Sequence, residues 1–246
     1  MSFAFFFSYA RANRRNCERA NPLGASTNLL DQLFNDLVTT VHDDLGGDQT
    51  RVGYRDVEEL RIGDPWPRNL ADAVCQARVL VTVFAPGYFE SINCGREFLV
   101  FKERVKAHRD NHDISMPTPI VPIFWTNENT CRRSPGDWIE EHFGDIQYKQ
   151  AGMPTRYPGV GCKQLMDLHH QEYRQLIYCL GQAICDLEVR ALRALEPAPA
   201  FHQLRSAFRT TTGVAGRERE LTLELPPAVP VGATAGQPLP LIRPAP

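Results

Sequence analysis

The sequence predicts an α/β fold in which helices cover both faces of a mostly parallel five-stranded sheet, and three observations lead there. Short apolar runs, Phe3 to Tyr9, Arg78 to Phe84 and Pro119 to Trp125, are continuous rather than alternating, as strands buried on both faces are. Between them lie segments with apolar residues at helical spacing. Strand and helix therefore alternate along the chain, which gives right-handed βαβ units. With 43% hydrophobic and 23% charged residues, 246 positions suffice for one core of ordinary size plus a tail.

Phe3-Ala-Phe-Phe-Phe-Ser-Tyr9 forms the first strand. A polar loop rich in Arg and Asn follows (Arg11 to Gly24), and Ser26 or Thr27 is placed to cap a helix with Leu29, Leu30, Leu33, Leu37, Val38 and Val41 on one stripe. Gly46-Gly47 stops it. A second short strand near Arg51 to Tyr54 leads into a charged loop, Arg55 to Asp64, and Pro65-Trp66-Pro67 opens a helix through Leu70, Ala73 and Val74. Arg78 to Phe84 is the clearest buried strand, and Ala85-Pro86-Gly87 breaks it.

A third helix runs from about Cys94 to His108, with Phe98, Phe101 and Val105 at helical spacing. The two prolines of Pro119 to Trp125 place that strand toward an edge. From Asn127 to Tyr148 the pattern weakens, with a short helix at Trp138 to His142 and a fifth strand at Asp145 to Tyr148. A long helix from about Cys162 to Leu195 carries Leu165, Leu168, Tyr173, Leu176, Ile177, Leu180, Ile184 and Leu187 on its packing face. The folded domain is thus expected over 1–195. Residues 196–246 read as a Pro/Ala-rich, mostly disordered C-terminal tail, in which Glu218 to Leu225 alternates enough to form a strand against a protein partner's edge. The size matches a flavodoxin-like three-layer sandwich, where ligands gather at the carboxyl ends of the strands.

A net charge of -2, from 27 basic and 29 acidic residues, gives no field for holding nucleic acid. The apolar start lacks a basic leader, and no stretch reaches the ~18 apolar residues of a membrane helix, so no membrane is expected and a cytoplasmic chain is. The seven cysteines are scattered and form no C-x-x-C pair, so they read as packed thiols rather than a zinc or disulfide framework. His169-His170 has no carboxylate or cysteine at ligand spacing, so no metal is called for. No G-x-G-x-x-G or G-x-x-x-x-G-K-[ST] follows a strand, which disfavours a hydride-transfer or phosphate-cradling site.

Three segments match, in order and spacing, the sequence boxes of Toll/interleukin-1 receptor (TIR) domains. Phe7-Ser8-Tyr9 resembles the first box. Tyr54-Arg55-Asp56-Val57-Glu58-Glu59-Leu60 through Gly63 resembles the BB loop, and Phe84 to Ser91 followed by Cys94-Gly95-Arg96-Glu97-Phe98 resembles the third box at the start of the third helix. The resemblance covers about residues 3 to 190 and is nearest to bacterial TIR-like NAD-cleaving proteins. Asn93 stands where many relatives have Trp, Ala85 replaces the usual Ser, and Asn127 to Val160 is longer than a compact TIR fold requires.

The resemblance implies that Glu97 is the catalytic carboxylate of a nucleosidase for which NAD is substrate and no cofactor is needed. Breaking the bond from ribose C1′ to a cationic pyridinium develops oxocarbenium character, which a carboxylate beside the ribose stabilises. The leaving group is already cationic, so one carboxylate can suffice where ordinary glycosidases use two. A first-turn position would keep Glu97 ionised through the helix dipole, although glutamate is also a common helix-start residue. The resemblance further places Ser8, Tyr9, Arg11, Trp66, Tyr88 and Ser91 around the substrate. Three of them have an alternative: Arg11 as a solvated loop residue, Trp66 as core, Ser91 as a helix cap. Arg55, Asp56, Glu58, Leu60 and Gly63 belong to the BB loop, through which TIR copies self-associate. The expected activity is release of nicotinamide with ADP-ribose or a cyclised product, in a bacterial immune, antiphage or NAD-depletion setting. A non-catalytic adaptor acting through TIR–TIR contacts is the alternative.

Overall fold

The structure, a computed structural model, describes residues 2–15, 17–20, 26–56, 68–111, 117–132, 146, 150–195 and 201–208. Strand β1 (Phe5–Tyr9) is buried at every position. A one-turn helix α1 (Arg11–Arg15) follows, then a short antiparallel ribbon of β2 (Glu18–Ala20) and β3 (Ser26–Asn28), where the sequence suggested only a polar loop. Strands this short and polar leave no periodic signal.

Helix α2 (Leu29–Leu45) buries Leu29, Leu30, Leu33, Leu37 and Val41 as the stripe predicts. Its cap is Asn28, whose side chain accepts from the Leu30 N–H at 3.0 Å, and not Ser26 or Thr27, which pair in the ribbon. Gly46 ends the helix at φ 68°. Strand β4 (Gly53–Arg55), helix α3 (Arg68–Gln76), strand β5 (Val79–Phe84), the short helix α4 (Pro86–Glu90), helix α5 (Ile92–Asn111) and strand β6 (Ile120–Phe124) complete the alternating pattern.

The sheet is parallel throughout, in the order β4-β1-β5-β6. Among the described residues it has four strands. The fifth, expected at 145–148, and the helix expected at 138–142 lie outside them, apart from Ile146. β6 is thus the edge strand of the described sheet, in keeping with Pro122, which has no N–H to give a further neighbour. Beyond helix α6 (Glu128–Arg132) come α7 (Tyr157–Val160), α8 (Cys162–Leu168) and α9 (His170–Glu188).

The single long helix expected over 162–195 is therefore two. His169 leaves the helical region (φ -135°, ψ 59°) with neither Pro nor Gly to announce the break. The turn rotates Leu168 off the packing face and leaves it 67% exposed. α9 packs on α2, where a Cβ on Gly181 would stand 2.5 Å from Thr40 Cγ2, and where the Tyr173 hydroxyl donates to Asp36 at 2.6 Å.

Arg104 of α5 is fully buried, and among the described residues no carboxylate forms an ion pair with it. It donates to the carbonyls of Val74 (2.7 Å), Ala77 (2.9 Å) and Arg193 (2.9 Å), tying the end of α3 to the chain after α9. The negative end of the α3 dipole suits a cation there.

The packed region also passes the boundary drawn at 195. Phe201, Leu204 and Phe208 are buried in the common core, with a single 3-10 turn at Phe201–Gln203. Among the described residues, no helix is long and apolar enough to cross a membrane, and no three His, Cys, Asp or Glu side chains are grouped to hold a metal.

Candidate functional site

β1 occupies the point where strand order reverses, with β4 on one side and β5, later in the chain, on the other. Ligand clefts open at the carboxyl ends of strands at such points. Here the end of β1, the end of β4 and the α4–α5 corner surround a cleft of about 340 Å³, lined by Tyr9, Arg11, Asp56, Glu90, Ser91, Asn93 and Glu97 among others.

Glu97 lies at the floor of the cleft, 6% exposed. It is the sixth residue of α5, beyond the first turn, which holds no acidic residue. Its Oε2 accepts from the Ser8 hydroxyl at 2.5 Å, and the Ser8 Oγ lies 3.1 Å from the Tyr88 hydroxyl. Burial raises the Glu97 carboxyl to about 8, against smaller downward pulls from the Ser8 hydrogen bond and the Arg11 charge. The helix-dipole expectation is thus corrected: desolvation outweighs the dipole, and the carboxyl holds its proton near neutrality. Ser8 and Tyr88 are fully buried and stand behind the carboxyl, not on the lining where substrate would touch them. Burial drives the Tyr88 phenol well above its usual range.

Arg11 is ion-paired with Asp56, and the Tyr9 hydroxyl donates to the Asp56 carbonyl at 2.6 Å. Asp56 therefore braces the end of β4 against β1 and the start of α1. Arg55 belongs to β4 rather than to a loop. It pairs with Asp31, lies 4.5 Å over the Phe34 ring, and is directed at α2 instead of the cleft. Arg14 shares Asp31 at 3.1 Å.

Ser91 both lines the cleft and accepts from the Cys94 N–H at 3.3 Å, the capping alternative. Cys94 is buried and its thiol is raised by desolvation, so no thiolate forms there. Trp66, Glu58, Leu60 and Gly63 lie outside the described residues.

Sequence reasoning missed Glu90 and Asn93 as cleft residues. Asn93 was visible only as a departure from the third box, and Glu90 as an acid seven positions before Glu97. It also missed Asn13, whose buried Nδ2 has no partner among the described residues and whose Oδ1 would lie 3.3 Å from a Cβ on the cleft residue Gly87.

No protein of curated function matches the chain. Among solved structures it is similar to the TIR domains of the activated Roq1 resistosome directly recognizing the pathogen effector XopQ. That likeness has 16% identity, covers 76% of this chain and 84% of that one, and has a TM-score of 0.36. The model of the TIR domain family matches residues 33–153. The match begins inside α2, yet β1 is hydrogen-bonded between β4 and β5, two strands of the matched stretch, so Ser8 and Tyr9 are part of the same sheet and Arg11 opens the helix that follows it. Over residues 33–153 the chain matches the TIR domain family.

Proposed function

We propose that this domain cleaves NAD at the bond between nicotinamide and ribose, with the Glu97 carboxylate as the catalytic group. The observation that carries the proposal is one acidic side chain at the floor of a cleft on the switch-point edge of the sheet, hydrogen-bonded from behind by Ser8. In its ionised form Glu97 stabilises the positive charge that grows on the ribose as the pyridinium leaves. A carboxylate held in a water-poor site stabilises that charge more than a solvated one would. Arg11, on the opposite side of the mouth, is the residue placed to meet the diphosphate. Tyr9 and Ser91 frame the space between them. The products are nicotinamide and ADP-ribose, linear or cyclised.

Self-association is part of the proposal, in the manner of TIR enzymes that act when assembled, and the setting is bacterial immune or NAD-depletion signalling. The arrangement suits a resting state, because Arg11 is engaged by Asp56 and Glu97 is protonated near neutrality. The same two facts suit the second reading, an adaptor in which Glu97 is structural.

Nicotinamide release from NAD by the purified chain, with and without a crowding agent or surface that drives assembly, separates the two. Cleavage is expected on assembly and is lost in Glu97→Gln. Equal release by wild type and folded variant removes Glu97 from the mechanism, and no release under any assembly condition favours the adaptor.

A further inference from the structure

We propose that residues 201–208 form a strap that positions the Glu97 carboxyl, gripping the start of α5 by its backbone and, through Phe208, the wall behind the Ser8 hydrogen bond. The proposal rests on Glu97 being the cleaving carboxylate.

Two sets of contacts, different in chemistry, converge on that carboxyl. The first is polar. The Ala207 N–H donates to the Gly95 carbonyl at 3.2 Å, and Arg96 Nε donates to the Leu204 carbonyl at 2.7 Å. Gly95 and Arg96 are the two residues immediately before Glu97, so the strap fixes the helical turn from which the carboxyl projects. The second set is aromatic. The Phe208 ring is fully buried, with centroids 5.7 Å from Tyr88, 5.2 Å from Phe89 and 5.4 Å from Phe98. Tyr88 in turn meets Ser8 at 3.1 Å, and Ser8 donates to Glu97 at 2.5 Å.

The approach at Gly95 leaves no room for a side chain. A Cβ there would overlap the Ser206 hydroxyl and stand 3.0 Å from the Ser206 Cβ and 3.2 Å from the Ala207 nitrogen. Gly95 stands in the first turn of α5, where the strap's close contact excludes a side chain. Phe201 and Leu204 bury the other end of the segment.

The charge that acts on Glu97 is that of Arg11; Tyr88 and Cys94 beside it are raised by burial and by Glu97 and stay neutral, and Asp56 and Glu90 line the same cleft. Among the described residues, those the strap buries near the site, Leu204, Ser206 and Phe208, are uncharged. Its effect is therefore exclusion of water and restraint of α5, not a charge. Loosening it admits water behind Tyr88 and Ser8, lowers the carboxyl's midpoint and lets the side chain wander from the ribose.

The test uses the full chain with Phe208→Ala, its conservative partner Phe208→Leu, Gly95→Ala, and Gly95→Ala combined with Ser206→Gly. Two quantities are read: the ¹³C titration of the Glu97 carboxyl, identified by its disappearance in Glu97→Gln, and the pH profile of nicotinamide release. Phe208→Ala and Gly95→Ala are expected to move the midpoint down by about one unit. They are also expected to lower kcat at least about tenfold, with KM little changed. Phe208→Leu and the double variant recover most of both.

If Phe208→Ala does not fold, Gly95→Ala, which leaves every apolar residue of the strap in place, decides alone. A midpoint unmoved in the folded variants overturns the proposal, as does a fall in rate that follows thermal stability without any change in titration. If the wild type releases no nicotinamide under any assembly condition, the cleavage reading fails, and the carboxyl titration still decides the strap.

Discussion

Replacing Glu97 by glutamine is expected to make the protein more stable, by an amount that grows with pH. The folded carboxyl titrates at about 8 against an ordinary value of 4.5, and the cause is burial. The folded state therefore keeps a proton that the unfolded chain releases, and wild-type stability is whole below pH 4.5, falling as pH rises through 8. At 1.36 kcal/mol per unit, the roughly 3.5-unit separation sets a ceiling of about 5 kcal/mol on the loss. Glutamine does not titrate, nearly matches the shape, and keeps an oxygen for the Ser8 hydroxyl.

The assay is urea unfolding of both proteins at pH 5.5 and 7.5, with the m-value checked for constancy. The advantage of the variant should widen by about 2 to 3 kcal/mol between the two, since every other titrating group is common to both proteins. An advantage that does not change with pH would refute desolvation as the ruling effect. One that shrinks as pH rises would mean that the carboxylate is held as a paired anion, with Arg11 prevailing over burial. The stabilised variant should at the same time have lost cleavage, as expected where a site keeps an ionisable group in surroundings that disfavour its charge.

In Ser8→Ala the hydrogen bond that favours the carboxylate is gone, so the midpoint of the rising limb of kcat/KM against pH moves above the wild-type value of about 8 and cleavage at pH 7.5 falls; a midpoint that stays or drops contradicts the pairing. Arg104→Met leaves the carbonyls of Val74, Ala77 and Arg193 without their donor, and chemical denaturation should show a loss of about 3 kcal/mol, whereas an unchanged midpoint would make the buried cation dispensable. Gly181→Ala, which in an open helix would add about 1 kcal/mol, should instead cost about 1 to 3 kcal/mol because of Thr40, and a higher melting temperature would show that α2 and α9 separate freely.

The strands that build the cleft were legible because each is a continuous apolar run, and Glu97 was legible because its surrounding box follows the strand that brings it to the sheet edge. What escaped the sequence was decided by contacts distant along the chain. Glu97 looked like an ionised helix-start residue, and only the packing of Ser8, from β1, and Tyr88, from α4, shows the carboxyl to be dry. The break at His169 has no residue that demands it, and Leu168 fits the helical stripe in sequence while standing in solvent. Phe201, Leu204 and Phe208 do recur at helical spacing, but three residues beside a Pro/Ala-rich stretch are too short a pattern to mark a packed segment.

Electrostatics link the two halves of the cleft through one residue. Arg11 is the charge that draws the Glu97 carboxyl downward, yet its own ion pair is with Asp56, whose backbone carbonyl also receives the Tyr9 hydroxyl. That pair with Asp56, partly open to water, is cheap to break, because its carboxylate recovers solvation when it lets go. In the proposed cleavage of NAD, a diphosphate entering the mouth competes with Asp56 for the fork. The cationic nicotinamide riboside at the floor would then add its positive field to that of Arg11, lowering the Glu97 pKa further toward the ionised form. On that reading substrate binding and ionisation of the carboxyl are one thermodynamic event, and a group mostly protonated near neutrality becomes the carboxylate the reaction requires.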